Sequence, residues 1–186
     1  VSHFEIIDKP LRGLKVFERE IIRDARGYFE RMFCSTELDE LIAGMQIVQI
    51  NHTLTKQRGV VRGMHFQYPP HAEIKLVSCL RGEIFDVAVD LRAGSPTFLQ
   101  WHAERLTAEN GKTLCIPQGF AHGFQTLTED CEMLYLHTAA YAPAFEGGVS
   151  PLDPRVAIAW PLAVTSMSER DASHEHLSVS YSGIEP

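Results

Sequence analysis

Between residues 13 and 141 the chain is a succession of short apolar or alternating segments, split by Gly, Pro, Asn and Asp. No other feature constrains the fold as strongly. GLKVFEREI (13–21), MQIVQINHTLT (45–55), IKLVSCL (74–80), EIFDVAVDL (83–91), FLQWHAERL, KTLCIP, HGFQTLT and EMLYLHTAAY all read as strands. In 45–55, Ile47, Gln49 and Asn51 share one face, and Val48, Ile50 and His52 the other. In 83–91, Phe85, Val87 and Val89 share a face opposite Asp86, Ala88 and Asp90. Turn signals about 8–12 residues apart direct such a chain into a small β-sandwich or barrel, of which the jelly roll is one form. Arg81-Gly82 reads as the two-residue turn of a hairpin joining 74–80 to 83–91. One helix is expected over STELDELIAG (35–44), capped by Ser35 or Thr36 and ended by Gly44. A second, of about one turn, is expected behind Ser168. From Pro161 the periodicity fades.

With 186 residues, no repeat and no linker, residues 1–186 are expected to form one domain with peripheral terminal segments. Hydrophobic residues are 45% and charged residues 22%, enough apolar material for a core. The formal net charge of -7 argues against nucleic acid or an anionic membrane surface as partner. No apolar run approaches the roughly 18 residues of a membrane span, and VSHFEIIDKP lacks the layout of a signal peptide. Cys34, Cys79, Cys115 and Cys131 form no C-x-x-C pair and sit among apolar residues. That pattern is expected of reduced thiols in a cytoplasmic protein without disulfides or structural zinc. Long strands leave edges, so a homodimer that shares strands is expected.

Two clusters carry chemistry. In RGVVRGMHFQYPPHAEIKL (58–76), Arg62, His65, Gln67 and Lys75 fall in one strand–loop–strand stretch. In a regular strand His65 and Gln67 point the same way, and Gly63 beside them leaves space for a ligand. Arg62 joins that face only through a bend that Gly63 permits. An exposed charged hairpin accounts for the same residues equally well. In IPQGFAHGFQT (116–126), Pro117 and Gly119 turn the chain into a strand that presents His122. Taken alone, His122 also fits a satisfied core histidine.

Together the clusters resemble the cupin superfamily, all-β jelly-roll barrels with few short helices. Gly59 is followed after five residues by His65, and Pro117, Gly119 and His122 meet the second cupin motif, P-x-G-x-x-H. Metal-binding cupins have a second His where this chain has Gln67. Glu73 lies one or two positions late, and Thr126 stands four after His122. The set is poor for iron, manganese or zinc, so no metal is expected. A closer resemblance, from DARGYF near residue 24 to Asp171, is to the dTDP-4-dehydrorhamnose 3,5-epimerases and related nucleotide-sugar epimerases. It is carried by NHTLTKQRGVVRGMHFQYPP, KLVSCLRGEIFDVAVDLRAGSPTF, IPQGFAHGFQTL and AIAWP…SERD.

That resemblance implies epimerisation, without cofactor, at C3 and/or C5 of a nucleotide-linked 4-keto-6-deoxyhexose in deoxysugar (L-rhamnose) supply. Both protons are alpha to the C4 carbonyl, so the chemistry needs a base on one face, an acid on the other and a cation at the enolate oxygen. The resemblance assigns His65 as base, Asp171 as its carboxylate partner, Lys75 as the cation and Tyr135 as the acid. Tyr135 alone also reads as a core aromatic. Arg26, Arg62 and Arg170 are implied at phosphates or sugar oxygens, with Gln49, Asn51 and His122 also on substrate. Tyr28 and Phe29 are implied at the base and Glu146 at the nucleotide end. Two places depart from the family pattern: Arg31 stands where many members have a glutamate, and in GGVSPLDP Ser150, Pro151 or Leu152 replaces an aromatic residue. They leave the nucleotide (dTDP, CDP or GDP), the sugar and the epimerised carbon open. A metal-dependent cupin enzyme and a non-catalytic sugar-binding cupin are the other readings.

Overall fold

The computed structural model describes residues 2–185. Thirteen strands follow one another: β1 Phe4–Asp8, β2 Lys15–Arg19, β3 Ile21–Asp24, β4 Gly27–Glu30, β5 Gln49–Thr55, β6 Val61–Gln67, β7 Lys75–Arg81, β8 Glu83–Asp90, β9 Trp101–Thr107, β10 Lys112–Ile116, β11 Phe120–Thr126, β12 Cys131–His137 and β13 Glu146–Gly148. A single turn of α-helix, α1 Glu169–Ala172, comes near the end. The expected all-β class is found, as two facing antiparallel sheets of the jelly-roll kind. One runs β1-β2-β10-β7-β12-β5, the other β13-β6-β11-β8-β9, and β3-β4 form a separate hairpin.

Apolar alternation decides how the layers stack. Val16, Val77, Leu114 and Met133 of the six-stranded sheet meet Ile84, Ala88, Leu106, Phe120 and Phe124 of the five-stranded sheet in the central core. The outer faces are covered too. Phe17, Leu76, Cys115 and Leu136 lie under Leu38, Leu41 and Ile42 of the β4–β5 connection. Phe85, Val87 and Val89 lie under the C-terminal segment with Trp160, Leu177, Tyr181 and Ile184. The two faces of 83–91 therefore divide as the alternation requires, although both are buried. The aperiodic tail is a cover whose backbone is hydrogen-bonded to the barrel: the Gln125 amide donates to Leu162 O and accepts from Leu162 N, each at 3.0 Å.

Two expectations fail here. Arg81-Gly82 does not close a hairpin, because β7 pairs with β10 and β12 while β8 pairs with β11 and β9. The turn is a corner that carries the chain from one sheet to the other. Gly82 is required there at φ 76°, since a Cβ would lie 2.6 Å from Thr128 Oγ1. Residues 35–44 are successive turns rather than a helix. Leu38 N and Ile42 N bond four residues back, but Leu41 N reaches back three and Gly44 N five. Docking Leu38, Leu41 and Ile42 on the sheet sets this path over a segment too short to hold a helix by itself. Ser168 does cap α1, its side chain accepting from Asp171 N at 3.0 Å.

Candidate active site

The barrel is apolar at one end and opens at the other into a cavity of about 410 Å³. Strand register sets its walls. In the six-stranded sheet, His137 sits between Lys75 and Gln49, and Tyr135 between Val77 and Asn51. In the five-stranded sheet, His65 pairs with His122, but the next pairing is Arg62 with Phe124. Three residues of β6 thus span two of β11. This bulge brings Arg62 to the face of His65, as the anticipated bend at Gly63 requires. The expected ligand space beside Gly63 is not there. A Cβ at Gly63 would lie 2.5 Å from Gly123 Cα, so the glycine serves the close approach of two strands.

His65 Nε2 lies 2.7 Å from Asp171 Oδ1, and Gly63 N donates to Asp171 Oδ2 at 3.2 Å. Arg170 Nη2 is also 3.0 Å from His65 Nε2. One nitrogen cannot donate to a carboxylate and accept from a guanidinium at once. The shorter contact takes the proton, so Arg170 contributes charge, and the other ring nitrogen holds the basic lone pair. Burial acts to raise the Asp171 carboxyl. The hydrogen bond and charge of His65, with Gly63 N–H and Ser168, outweigh it and hold the group at about 2.

A second imidazole–carboxylate pair lies deeper. His122 Nε2 is 2.7 Å from Asp86 Oδ1, and both side chains are buried. Burial lowers the His122 pKa and raises that of Asp86, each opposed by its partner. A third carboxylate, Glu73, stands 2.6 Å from His137 Nδ1 and 3.3 Å from Lys75 Nζ, holding the ammonium in the cavity wall. Asn51 Nδ2 reaches His137 Nε2 at 3.3 Å, and Gln49 Nε2 reaches Asn51 Oδ1 at 3.3 Å. At the mouth Arg170 Nη1 is 3.0 Å from Glu146 Oε1, and Tyr141 Oη donates to Glu146 Oε2 at 2.9 Å. Tyr135 is half-buried in the cavity wall, and desolvation of its phenol pushes its pKa well above the usual tyrosine value.

His65, Asp171, Lys75 and Tyr135 are thus brought together, Asp171 through its bond to His65, and Gln49, Asn51, Arg62, His122, Glu146 and Arg170 surround them. Arg26 and Phe29 are not with them. In the single chain they belong to the β3–β4 hairpin, where Arg26 pairs with Asp24, and Tyr28 and Phe29 are 56% and 57% exposed. Arg31 is engaged elsewhere, on Glu37 and on His3 Nδ1 at 3.1 Å. The Pro151 carbonyl accepts from Trp160 Nε1 at 2.8 Å, so the departing segment is packed structure. Asp86, Glu73 and His137 were missed as site residues by sequence reasoning. The available signals were a carboxylate inside an apolar strand and, for His137, the period of two from Tyr135.

The cupin metal positions do not fit an ion. Gln67 is engaged by backbone groups, donating to His71 O at 2.9 Å and accepting from Ala142 N at 2.7 Å. Glu73 is held by His137 and Lys75, and His122 by Asp86.

The sequence profile of dTDP-4-dehydrorhamnose 3,5-epimerase matches residues 8–178. The chain belongs to this family. Within the family, the dTDP-4-dehydrorhamnose 3,5-epimerase of Sinorhizobium fredii is 42% identical over 179 residues, covering 93% of this chain and 92% of that protein. The dTDP-6-deoxy-D-glucose-3,5-epimerase of Legionella pneumophila, solved in complex with dTDP-4-keto-L-rhamnose, superposes with a TM-score of 0.88. It is 42% identical, and the match covers 94% of this chain and 93% of that one. The dTDP-4-dehydrorhamnose 3-epimerase of Streptomyces niveus is 40% identical over 149 residues, covering 80% of this chain and 72% of that protein. The expected class, an isomerase of the epimerase type, is therefore the class of this family.

Proposed function

We propose that the protein epimerises dTDP-4-keto-6-deoxyglucose at C3 and C5 to dTDP-4-keto-L-rhamnose, for deoxysugar and cell-surface polysaccharide supply. The observation that carries this reading is the placement of a base and an acid on opposite walls of one cavity. His65 stands on β6 of the five-stranded sheet and Tyr135 on β12 of the six-stranded sheet. The free imidazole nitrogen takes the proton from the carbon alpha to the C4 ketone. The C–H electron pair moves into the C4 carbonyl as an enolate, and the Lys75 ammonium offsets its charge. The phenol of Tyr135 then delivers a proton to the opposite face, and the carbonyl re-forms. The resulting imidazolium and phenolate exchange protons with solvent before the next turnover. Asp171 stabilises the imidazolium. His122, held by Asp86, positions the sugar, and Arg62 and Arg170 meet the diphosphate.

The thymidine end requires a second copy of the chain. The β3–β4 hairpin stands outside the sheets with its aromatics exposed, and β5 is an edge strand whose Ile50 and Leu54, with Val48 just before it, are exposed. A homodimer in which each hairpin reaches the partner's cavity explains why Arg26 and Phe29 are far from their own. A cytoplasmic location suits the four free cysteines, three of them buried.

Incubation with dTDP-4-keto-6-deoxyglucose in heavy water tests the reaction. Label at C3 and C5 with formation of the L-sugar is expected. Label at C3 alone makes the protein a 3-epimerase, and label at neither carbon overturns the reading.

A further inference from the structure

His174, three residues beyond Asp171, has no part in the reaction described above. Its imidazole packs where Gly148 pairs with His65 across β13 and β6. A Cβ on Gly148 would lie 2.1 Å from His174 Cε1, so a glycine is needed for the ring to fit there. The His174 and His65 rings meet edge to face with centroids 6.0 Å apart. His174 Nε2 is buried and has no hydrogen-bond partner, an arrangement that is unfavourable unless a partner arrives. One donor atom from each of His65, Asp171 and His174 lies within 4.8 Å of the other two.

We propose that His65, Asp171 and His174 form an inhibitory site for a borderline transition-metal dication of the zinc class. Two imidazoles and a carboxylate form a three-ligand set that suits such ions and leaves a fourth position for water. Bonds of about 2.0–2.1 Å place tetrahedral donors roughly 3.3 Å apart, which small side-chain rotations reach from the present spacing. Coordination removes the base at either ring nitrogen of His65. At the free nitrogen it uses the lone pair. At the nitrogen bonded to Asp171 it displaces the proton, which returns to the ring on the other nitrogen. Arg170, whose guanidinium is half exposed and 3.5 Å from Asp171 Oδ1, opposes the ion by charge and can swing into solvent. The inhibition rests on the assignment of His65 as base. The binding does not.

Titration of the full chain with Co2+, followed by its visible d–d absorption, reads the binding without any turnover. The wild type is expected to bind one equivalent. His174→Ala and the ring-retaining His174→Phe should bind at least about tenfold more weakly, and Arg170→Gln more tightly. In parallel, Zn2+ should inhibit epimerisation reversibly by chelator, with about tenfold more Zn2+ needed for His174→Phe at an unchanged basal rate. Equal Co2+ affinity in the wild type and His174→Phe, or Zn2+ inhibition unaffected by that change, overturns the proposal. Co2+ binding that depends on His174 in a protein with no epimerase activity supports the metal site and overturns the functional reading instead.

Discussion

His65 Nε2 stands 2.7 Å from Asp171 Oδ1, a carboxylate brought from 106 residues along the chain by a single turn of helix. The carboxylate is anchored independently, by Gly63 N–H and by the cap at Ser168, whose hydroxyl accepts from Asp171 N. The ring is therefore oriented before substrate arrives.

Asp171→Asn should lower kcat about 10²–10⁴-fold with little change in nucleotide affinity, checked by steady-state kinetics and dTDP titration. The carboxyl is held at about 2 against an ordinary 3.8. Its ionised form thus stabilises the fold by about 2 kcal/mol at neutral pH. That contribution is fully present above pH 3.8 and is lost as the pH falls through about 2. The difference in melting temperature between wild type and Asp171→Asn should accordingly shrink across this window. A constant difference would show that the folded state does not favour the ionised Asp171 carboxylate.

His65→Ala should abolish deuterium incorporation into the ketosugar while dTDP affinity stays within roughly tenfold, because the phosphate cations are untouched. Mass spectrometry of the recovered sugar checks this. Exchange at the wild-type rate would remove His65 as base.

Tyr135→Phe separates the two halves of the reaction. The base remains, so label should still enter from solvent, but the opposite face lacks its donor. Inversion should fall by about 10²-fold or more relative to exchange, which NMR of the product resolves. Normal epimerisation in this variant would assign the acid elsewhere.

Asp86→Ala should cost about 1–3 kcal/mol of stability, because it leaves the buried His122 ring without its partner. Urea denaturation measures the loss. Asp86→Asn keeps a polar partner and should cost less, with a raised KM as the main effect. Equal losses in the two variants would show that the cost lies in losing the carboxylate itself, which a neutral polar partner of the same size does not replace.

Mixed dimers test hairpin exchange. Arg26→Ala and His65→Ala homodimers should each be poorly active. Subunits exchanged between them should regain activity, because one site then combines an intact His65 with an intact Arg26 from its neighbour. A fully active Arg26→Ala homodimer would place Arg26 outside the site, and no recovery on exchange would show that it does not act on the partner's cavity.

The sequence was legible wherever a local period or a local motif carried the information. Alternation over 83–91 sorted Phe85, Val87 and Val89 from Asp86, Ala88 and Asp90 correctly. Nothing in that period says that both faces are buried, since this depends on the tail covering one of them. The β6 bend at Gly63 was readable from a glycine beside Arg62, but its effect required the register against β11. Arg81-Gly82 was misread because a corner between sheets and a hairpin turn use the same residues. Residues 35–44 were misread because capping and composition are weak terms beside the docking of three apolar side chains.

By itself the sequence determined the all-β class, the strand faces and, through family motifs, the cluster of His65, Lys75, Tyr135 and Asp171. The class and the faces follow from side-chain period, whereas the cluster follows from the resemblance to the family, since Tyr135 taken alone also reads as a core aromatic. The family resemblance already implied Asp171 for His65, but the tertiary structure alone decided which carboxylates serve His122 and His137. Asp171 meets His65, Asp86 meets His122 and Glu73 meets His137. Such pairs lie between 36 and 106 residues apart and close only when sheets and register are formed. Hydrogen bonds act over about 3 Å, and no local pattern in a chain encodes distances of that kind between remote positions.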